Sequence, residues 1–238
     1  MEKIKKAINK NKIELIITFA STFIWGIFAH VYIFVNTSLS HDSLNEFVYM
    51  NDWKITIGRV LAPTFKAILG TDVAVSWAIG ILSLIFLSLA VFLIIKMFDI
   101  KSKLSSILIS GVLAVNITII SIASTCIHDL DVNSLSILSA VLGVYLWKKN
   151  KYGWLYGSLC IMTVLGIYQC NISVTITLII MCSIMDLIHK KDFKEVLING
   201  FKGIGMLLLG GILYLSLLKI IPLCTNIPLV DYTYNSVG

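Results

Sequence analysis

Seven apolar runs separated by short connections leave this chain few folds to choose from. The runs are Ile13 to Val35, Val73 to Ile95, Leu104 to Ala123, Leu135 to Trp147, Gly153 to Ile167, Ile172 to Leu187 and Gly203 to Ile221. About 20 apolar residues cross a hydrocarbon core at about 1.5 Å per residue. The first, second, third and seventh runs reach that length, and the fourth, fifth and sixth barely do. A soluble domain is excluded by composition: 58% of residues are hydrophobic and 13% charged, with mean hydropathy +0.91, whereas soluble domains carry about a quarter charged residues. The expected fold is therefore all-α, a polytopic transmembrane bundle of about seven helices forming one domain over residues 1–238. The first run is too long for a secretory signal core, and no small-residue cleavage site follows it.

The connections fix the sidedness. Fifteen of the nineteen basic residues, from Lys3 to Lys202, fall on one side, and Lys54, Arg59, Lys66 and Lys219 on the other. With the acids included, the two sides carry +9 and −3, which together give the net charge of +6. The positive-inside rule makes the basic side cytoplasmic, with the N-terminus inside and the C-terminus outside. The net charge then reports membrane topology and not nucleic-acid binding.

Two external segments collect the ionisable groups. The longer, 36–72, contains "SHDSLNEFVYMNDWKITIGR" from Ser40 to Arg59, and the shorter, 124–134, reads "STCIHDLDVNS". Within the first, apolar residues recur at helical spacing from Ile57 to Leu69, and Arg59 and Lys66, seven apart, fall on the opposite face. An amphipathic helix lying in the outer interface is expected over Ile55 to Leu69, although Pro63 would kink or split it.

The order "HDSL" (His41, Asp42), "GR" (Gly58, Arg59), "HDLD" (His128, Asp129, Asp131), "YLWKKNK" and "LGIYQCNISV" (Tyr168, Gln169) resembles the bacterial O-antigen, serotype-converting Gtr-type glucosyltransferases. The resemblance covers about residues 10 to 220. It implies a GT-C type membrane enzyme of the bacterial cytoplasmic (inner) membrane. Its donor would be a sugar, glucose above all, on undecaprenyl phosphate. Its acceptor would be a surface polysaccharide or lipid-linked glycan on the extracytoplasmic face. Family members are generally longer, so a fragment or truncated member is expected.

The resemblance places the catalytic base at Asp42, with Asp52 as second candidate. A base must take the acceptor hydroxyl proton as the sugar–phosphate bond breaks, and a carboxylate soon after a membrane helix lies at the depth of the donor phosphate. The residues themselves also allow Asp42 to cap a helix beginning near Leu44, with Ser43 and Glu46 as a capping box, and Asp52 to start the helix of "DWKI". Arg59, the single arginine, suits paired hydrogen bonds to a phosphate, with Lys66 or Lys54 assisting; ordinary snorkelling toward headgroups is the other reading. His41 would contact substrate beside Asp42. Tyr49 and Trp53 read as sugar-stacking groups or, more simply, as interfacial anchors.

His128, Asp129 and Asp131 have the composition of a metal cluster, but a monophosphate-linked donor requires none. No metal or other cofactor is expected. Asp129 and Asp131 are placed instead as acceptor or positioning groups, with a solvated turn and a capped helix as the plainer alternative. Tyr168 and Gln169 offer a stacking face and an amide for sugar hydroxyls. His30 reads as a packing residue hydrogen-bonded to another helix. Gly203, Gly205, Gly210 and Gly211 lack the strand and lysine of a phosphate loop and read as small residues for close helix packing. Two rival functions remain open from the residues: a lipid or small-molecule transporter or flippase, and an inactive membrane partner. The absence of a visible repeat and the concentration of charge at one surface favour the enzyme over a transporter.

Overall fold

The structure, a computed structural model, describes residues 2–36, 51–73 and 75–229, with side chains from residue 11 onward. The described chain is helical throughout. α1 (Glu2–Val35) is followed by two short helices, α2 (Asn51–Thr56) and α3 (Ala62–Leu69). Then come α4 (Ser76–Met97), α5 (Lys103–Ala114), α6 (Ile117–Thr125), α7 (Leu130–Lys149), α8 (Gly153–Ile167), α9 (Ile172–Ile188) and α10 (Phe193–Thr225). Single 3₁₀ turns, Ile127–Asp129 and Gln169–Asn171, lead into α7 and α9. Among the described residues six segments are long and apolar enough to cross a membrane, counting α5 and α6 as one, and α8 is a shorter apolar helix. The fold is a polytopic helical bundle, as its apolar runs predict.

α7 is the centre of the bundle. In its apolar window 67% of residues are buried, against 11% for α10, and it packs on α4, α8 and α9. α1 lies on α4 and α5, and α10 on α8 and α9. Small residues set the closest approaches. A Cβ on Gly157 of α8 would stand 2.9 Å from the Gly143 carbonyl of α7, and one on Gly210 of α10 would stand 2.9 Å from the Ser158 carbonyl of α8. Gly210 therefore serves close packing as expected, whereas a Cβ on Gly211 would meet nothing within 4 Å. His30 is fully buried, with Nε2 2.9 Å from the Ala114 carbonyl and its ring stacked on Phe34. It is a packing residue, as the sequence suggests.

Three elements differ from expectation. The amphipathic helix over Ile55 to Leu69 is two helices. The chain leaves α2 through Gly58 at φ +83°, a backbone region costly for residues with a Cβ, and resumes as α3 with Pro63 in its first turn. Proline is tolerated there because a first-turn N–H has no intrahelical acceptor. Arg59 and Lys66 therefore do not share one helical face. The third apolar run is broken at Asn116, whose side chain accepts from the Thr118 N–H at 2.9 Å and caps α6. Finally, α7 begins at Leu130 and not at Leu135, because "LDVNS", read as a polar turn, is helical and buried.

The charges sort to two ends of the bundle. Glu14 of α1 pairs with Lys96 at the end of α4, and Lys148 at the end of α7 approaches Asp186 of α9. Lys54, Arg59, Lys66, Asp129 and Asp131 gather at the opposite end, near the start of α7. By helical rise, about 27 Å separates Asp131 from Lys149 along α7.

Candidate functional site

Two carboxylates at the start of α7 turn in different directions, and the segment carrying α2 and α3 supplies Lys54 and Arg59 to Asp129 and Lys66 to Asp131. Asp129 Oδ2 accepts from Lys54 Nζ at 2.6 Å, from Arg59 Nη1 at 3.1 Å and from Cys126 Sγ at 3.2 Å. Asp131 Oδ1 pairs with Lys66 Nζ at 2.7 Å, and its Oδ2 accepts from Thr71 Oγ1 at 2.6 Å. The side chains of Lys66 and Asp131 are both 0% exposed. Ionised groups survive such burial only when paired and hydrogen-bonded. Burial lowers the Lys66 pKa from the ordinary lysine value, and the Asp131 carboxylate opposes that shift. Lys66 Nζ also donates to the Thr71 carbonyl at 3.3 Å, so both ends of the pair are tied to the segment after α3.

Arg59 differs from the two lysines. Its side chain is 22% exposed, against 4% for Lys54, and its guanidinium carbon lies 4.4 Å from the Tyr168 ring centroid. One edge is held by Asp129 and one face by Tyr168, which fixes the fork and leaves part of it accessible. Such a held guanidinium suits recognition of a phosphate or another planar anion.

Tyr168 also lines a lateral cavity of 630 Å³. Its other walls include Asn116 and Thr118 at the α5–α6 break, Val141 of α7, and Thr177 and Met181 of α9. Irregular backbone at membrane depth is tolerated where it lines such a space, which accounts for a helix break at this point.

The loop geometry rests on Gly58 and Gln169 meeting Tyr214, a residue that no sequence motif singles out. Gln169 Nε2 donates to Tyr214 Oη at 3.0 Å, and that hydroxyl donates to the Gly58 carbonyl at 3.1 Å. A Cβ on Gly58 would sit 3.0 Å from the Tyr214 hydroxyl and 3.2 Å from Gln169 Nε2. The turn before Arg59 is therefore clamped by the α8–α9 connection and by α10. Leu61 N–H donates to the Gly166 carbonyl at 2.8 Å, a second fastening. Asn171 Nδ2 donates to Asn133 Oδ1 at 3.0 Å and joins the same connection to α7.

The structure thus brings Arg59, Asp129, Tyr168 and Gln169 together, with Lys66 and Asp131 as an internal pair beside them. Gln169 meets Tyr214 rather than standing free. His128 is 4% exposed, and among the described residues its Nδ1 has no hydrogen-bond partner. Asp52 is exposed in the first turn of α2. His41 and Asp42 lie outside the described residues. Among those described, no three His, Cys, Asp or Glu side chains are placed to hold a metal.

A polytopic helical protein with a clamped cationic loop over a buried acidic helix start is the class that the fold and site define. The model of the glucosyl transferase GtrII family matches residues 31–237, spanning α2 to α10 and every site residue above. The chain belongs to this family and is a glycosyltransferase. Comparison with curated proteins and with solved structures gives no match.

Proposed function

We propose that the protein transfers a sugar, glucose in the first instance, from a polyprenyl-phosphate donor to a surface glycan on the extracytoplasmic face of the bacterial inner membrane, as a GT-C type enzyme. The observation that carries this reading, beyond family membership, is the position of Tyr168. It belongs both to the stack that holds Arg59 and to the wall of the lateral cavity. A donor whose isoprenoid chain occupies that cavity would bring its phosphate to the exposed part of the guanidinium. Asp42 would take the proton from the acceptor hydroxyl. The hydroxyl oxygen would form the new bond to the sugar C1 while the C1–O bond to phosphate breaks, and the polyprenyl phosphate would leave with the electron pair. Asp129 would hold Arg59 and Lys54 in register. The Lys66–Asp131 pair would seat α3, and His41, Tyr168 and Gln169 would contact or border the sugars. The end of the bundle bearing Lys96 and Lys148 would face the cytoplasm, consistent with its excess of lysine.

Purified protein in phospholipid vesicles, given radiolabelled undecaprenyl-phosphate glucose and an acceptor glycan, should transfer the label. Asp42→Asn should abolish transfer, and Arg59→Ala should raise the donor KM by about tenfold, the size of one charge-assisted contact. Full turnover by Asp42→Asn with loss in Asp52→Asn would move the base to Asp52. Movement of donor across vesicles without transfer would replace the enzyme by a transporter.

A further inference from the structure

At the end of the bundle opposite the site, a 390 Å³ pocket opens between the α7–α8 and α9–α10 connections. Five lysines line it (Lys148, Lys149, Lys151, Lys191 and Lys202) against two acids, Asp186 and Glu195. Lys148 and Lys191 converge on one oxygen, Asp186 Oδ1, at 3.9 and 3.1 Å, so two ammonium groups share a single carboxylate. The walls are fixed: Trp147 Nε1 donates to the Asn199 carbonyl at 3.1 Å and ties α7 to α10. An apolar cleft of 350 Å³ adjoins this pocket and shares Trp154 and Lys202 with it. The cleft runs along α10 past Ile198 and Phe201, 46% and 64% exposed, to Gly205.

We propose that this pair of cavities is a binding site for one anionic phospholipid, with the phosphate among the lysines and an acyl chain in the cleft. The charge excess selects an anion, and ammonium groups facing a phosphate give charge-assisted hydrogen bonds. The shared wall selects an amphiphile: Trp154 and Lys202 stand where a headgroup becomes a chain, the position that amphipathic side chains favour at a membrane interface. Basic pockets between membrane helices bind anionic headgroups on the same physical grounds. Gly205 keeps the cleft open. A Cβ there would lie 3.8 Å from the Trp154 ring, in ordinary contact, so a larger side chain fills the space without displacing backbone.

Native mass spectrometry of the full chain, released from nanodiscs of mixed phosphatidylglycerol and phosphatidylcholine, tests the site. The unaltered protein should retain one phosphatidylglycerol in preference to phosphatidylcholine. Lys202→Gln should weaken retention about tenfold, and Gly205→Leu, which leaves charge unchanged, should abolish it. Soluble glycerol 3-phosphate in large excess should not displace the lipid. Equal retention of the two lipids, or full retention by Gly205→Leu with circular dichroism unchanged, would overturn the proposal in favour of diffuse attraction to the lysines. Displacement by glycerol 3-phosphate at comparable concentration would overturn it in favour of a phosphate site without a chain. Should Gly205→Leu fail to fold, Lys202→Gln and the two competitions still decide.

Discussion

The Lys66–Asp131 pair offers the sharpest test of how the site is held together. Both side chains are fully buried, 2.7 Å apart. Removing one partner leaves the other charge without compensation, which costs about 3–5 kcal/mol at buried pairs. Asp131→Leu also deprives the Thr71 hydroxyl of its acceptor, adding about 1–2 kcal/mol. Lys66→Met alone should therefore destabilise by about 4 kcal/mol and Asp131→Leu alone by somewhat more. The double replacement removes both charges and fills the volume with apolar atoms, and buried pairs treated so come out near neutral. The double variant should thus fall at least about 3 kcal/mol short of the summed single costs. Unfolding of the purified protein in mixed micelles, followed by circular dichroism, reads all three differences. Costs additive to within about 0.5 kcal/mol, the behaviour of independent sites, would refute the pairing as a buried electrostatic unit.

The same lysine gives a pH signature. Burial lowers its folded-state pKa below 10.5, so between the two values the unfolded chain binds the extra proton and this group's contribution to stability rises with pH, and is lost as pH falls through the folded-state pKa. Lys66→Met should flatten the alkaline stability–pH slope measured in the same micelles. Gly58→Ala forces a Cβ into a positive-φ turn and against Tyr214 and Gln169; a loss of about 1–3 kcal/mol is expected, with transfer activity falling alongside thermal stability. Tyr214→Phe removes the hydroxyl that both accepts from Gln169 and donates to Gly58, and should cost about 1–3 kcal/mol, again read from thermal unfolding. Asp129→Asn takes the carboxylate from buried Lys54 as well as from Arg59, so it should cost about 3–5 kcal/mol of stability and lower transfer by the protein that remains folded; an unchanged kcat/KM in that folded protein would remove Asp129 from the positioning of Arg59.

The apolar runs were legible because a membrane span announces itself by length and composition, and α8 keeps its expected limits of Gly153 and Ile167. What escaped is what depends on distant partners. "LDVNS" has the polarity of a turn, and its helical state becomes affordable only because Lys66 and Thr71 meet Asp131, and Asn171 meets Asn133. Periodicity joined Arg59 to Lys66 on one face, since it records side-chain spacing and not the positive φ at Gly58. Asp129 and Asp131 stand out in "HDLD" as candidate acceptor or positioning groups, but their division between Lys54 with Arg59 and Lys66 is not legible, because a spacing of two residues does not say which way each carboxylate turns. Tyr214 carried no signal at all: a tyrosine in an apolar helix looks like any packing aromatic until its hydroxyl is seen against Gly58.

That hydroxyl sets a lower bound on the working piece of this protein. Among the described residues α10 is the least buried span, and by composition alone it would pass for a dispensable outer wall. Yet the turn that delivers Arg59 leans on it through Gly58 and Tyr214. A chain ended after α9 would keep every ionised group of the cluster and still lose the strut that aims the arginine. Domain-mapping or split-protein experiments should therefore place their junctions beyond residue 214.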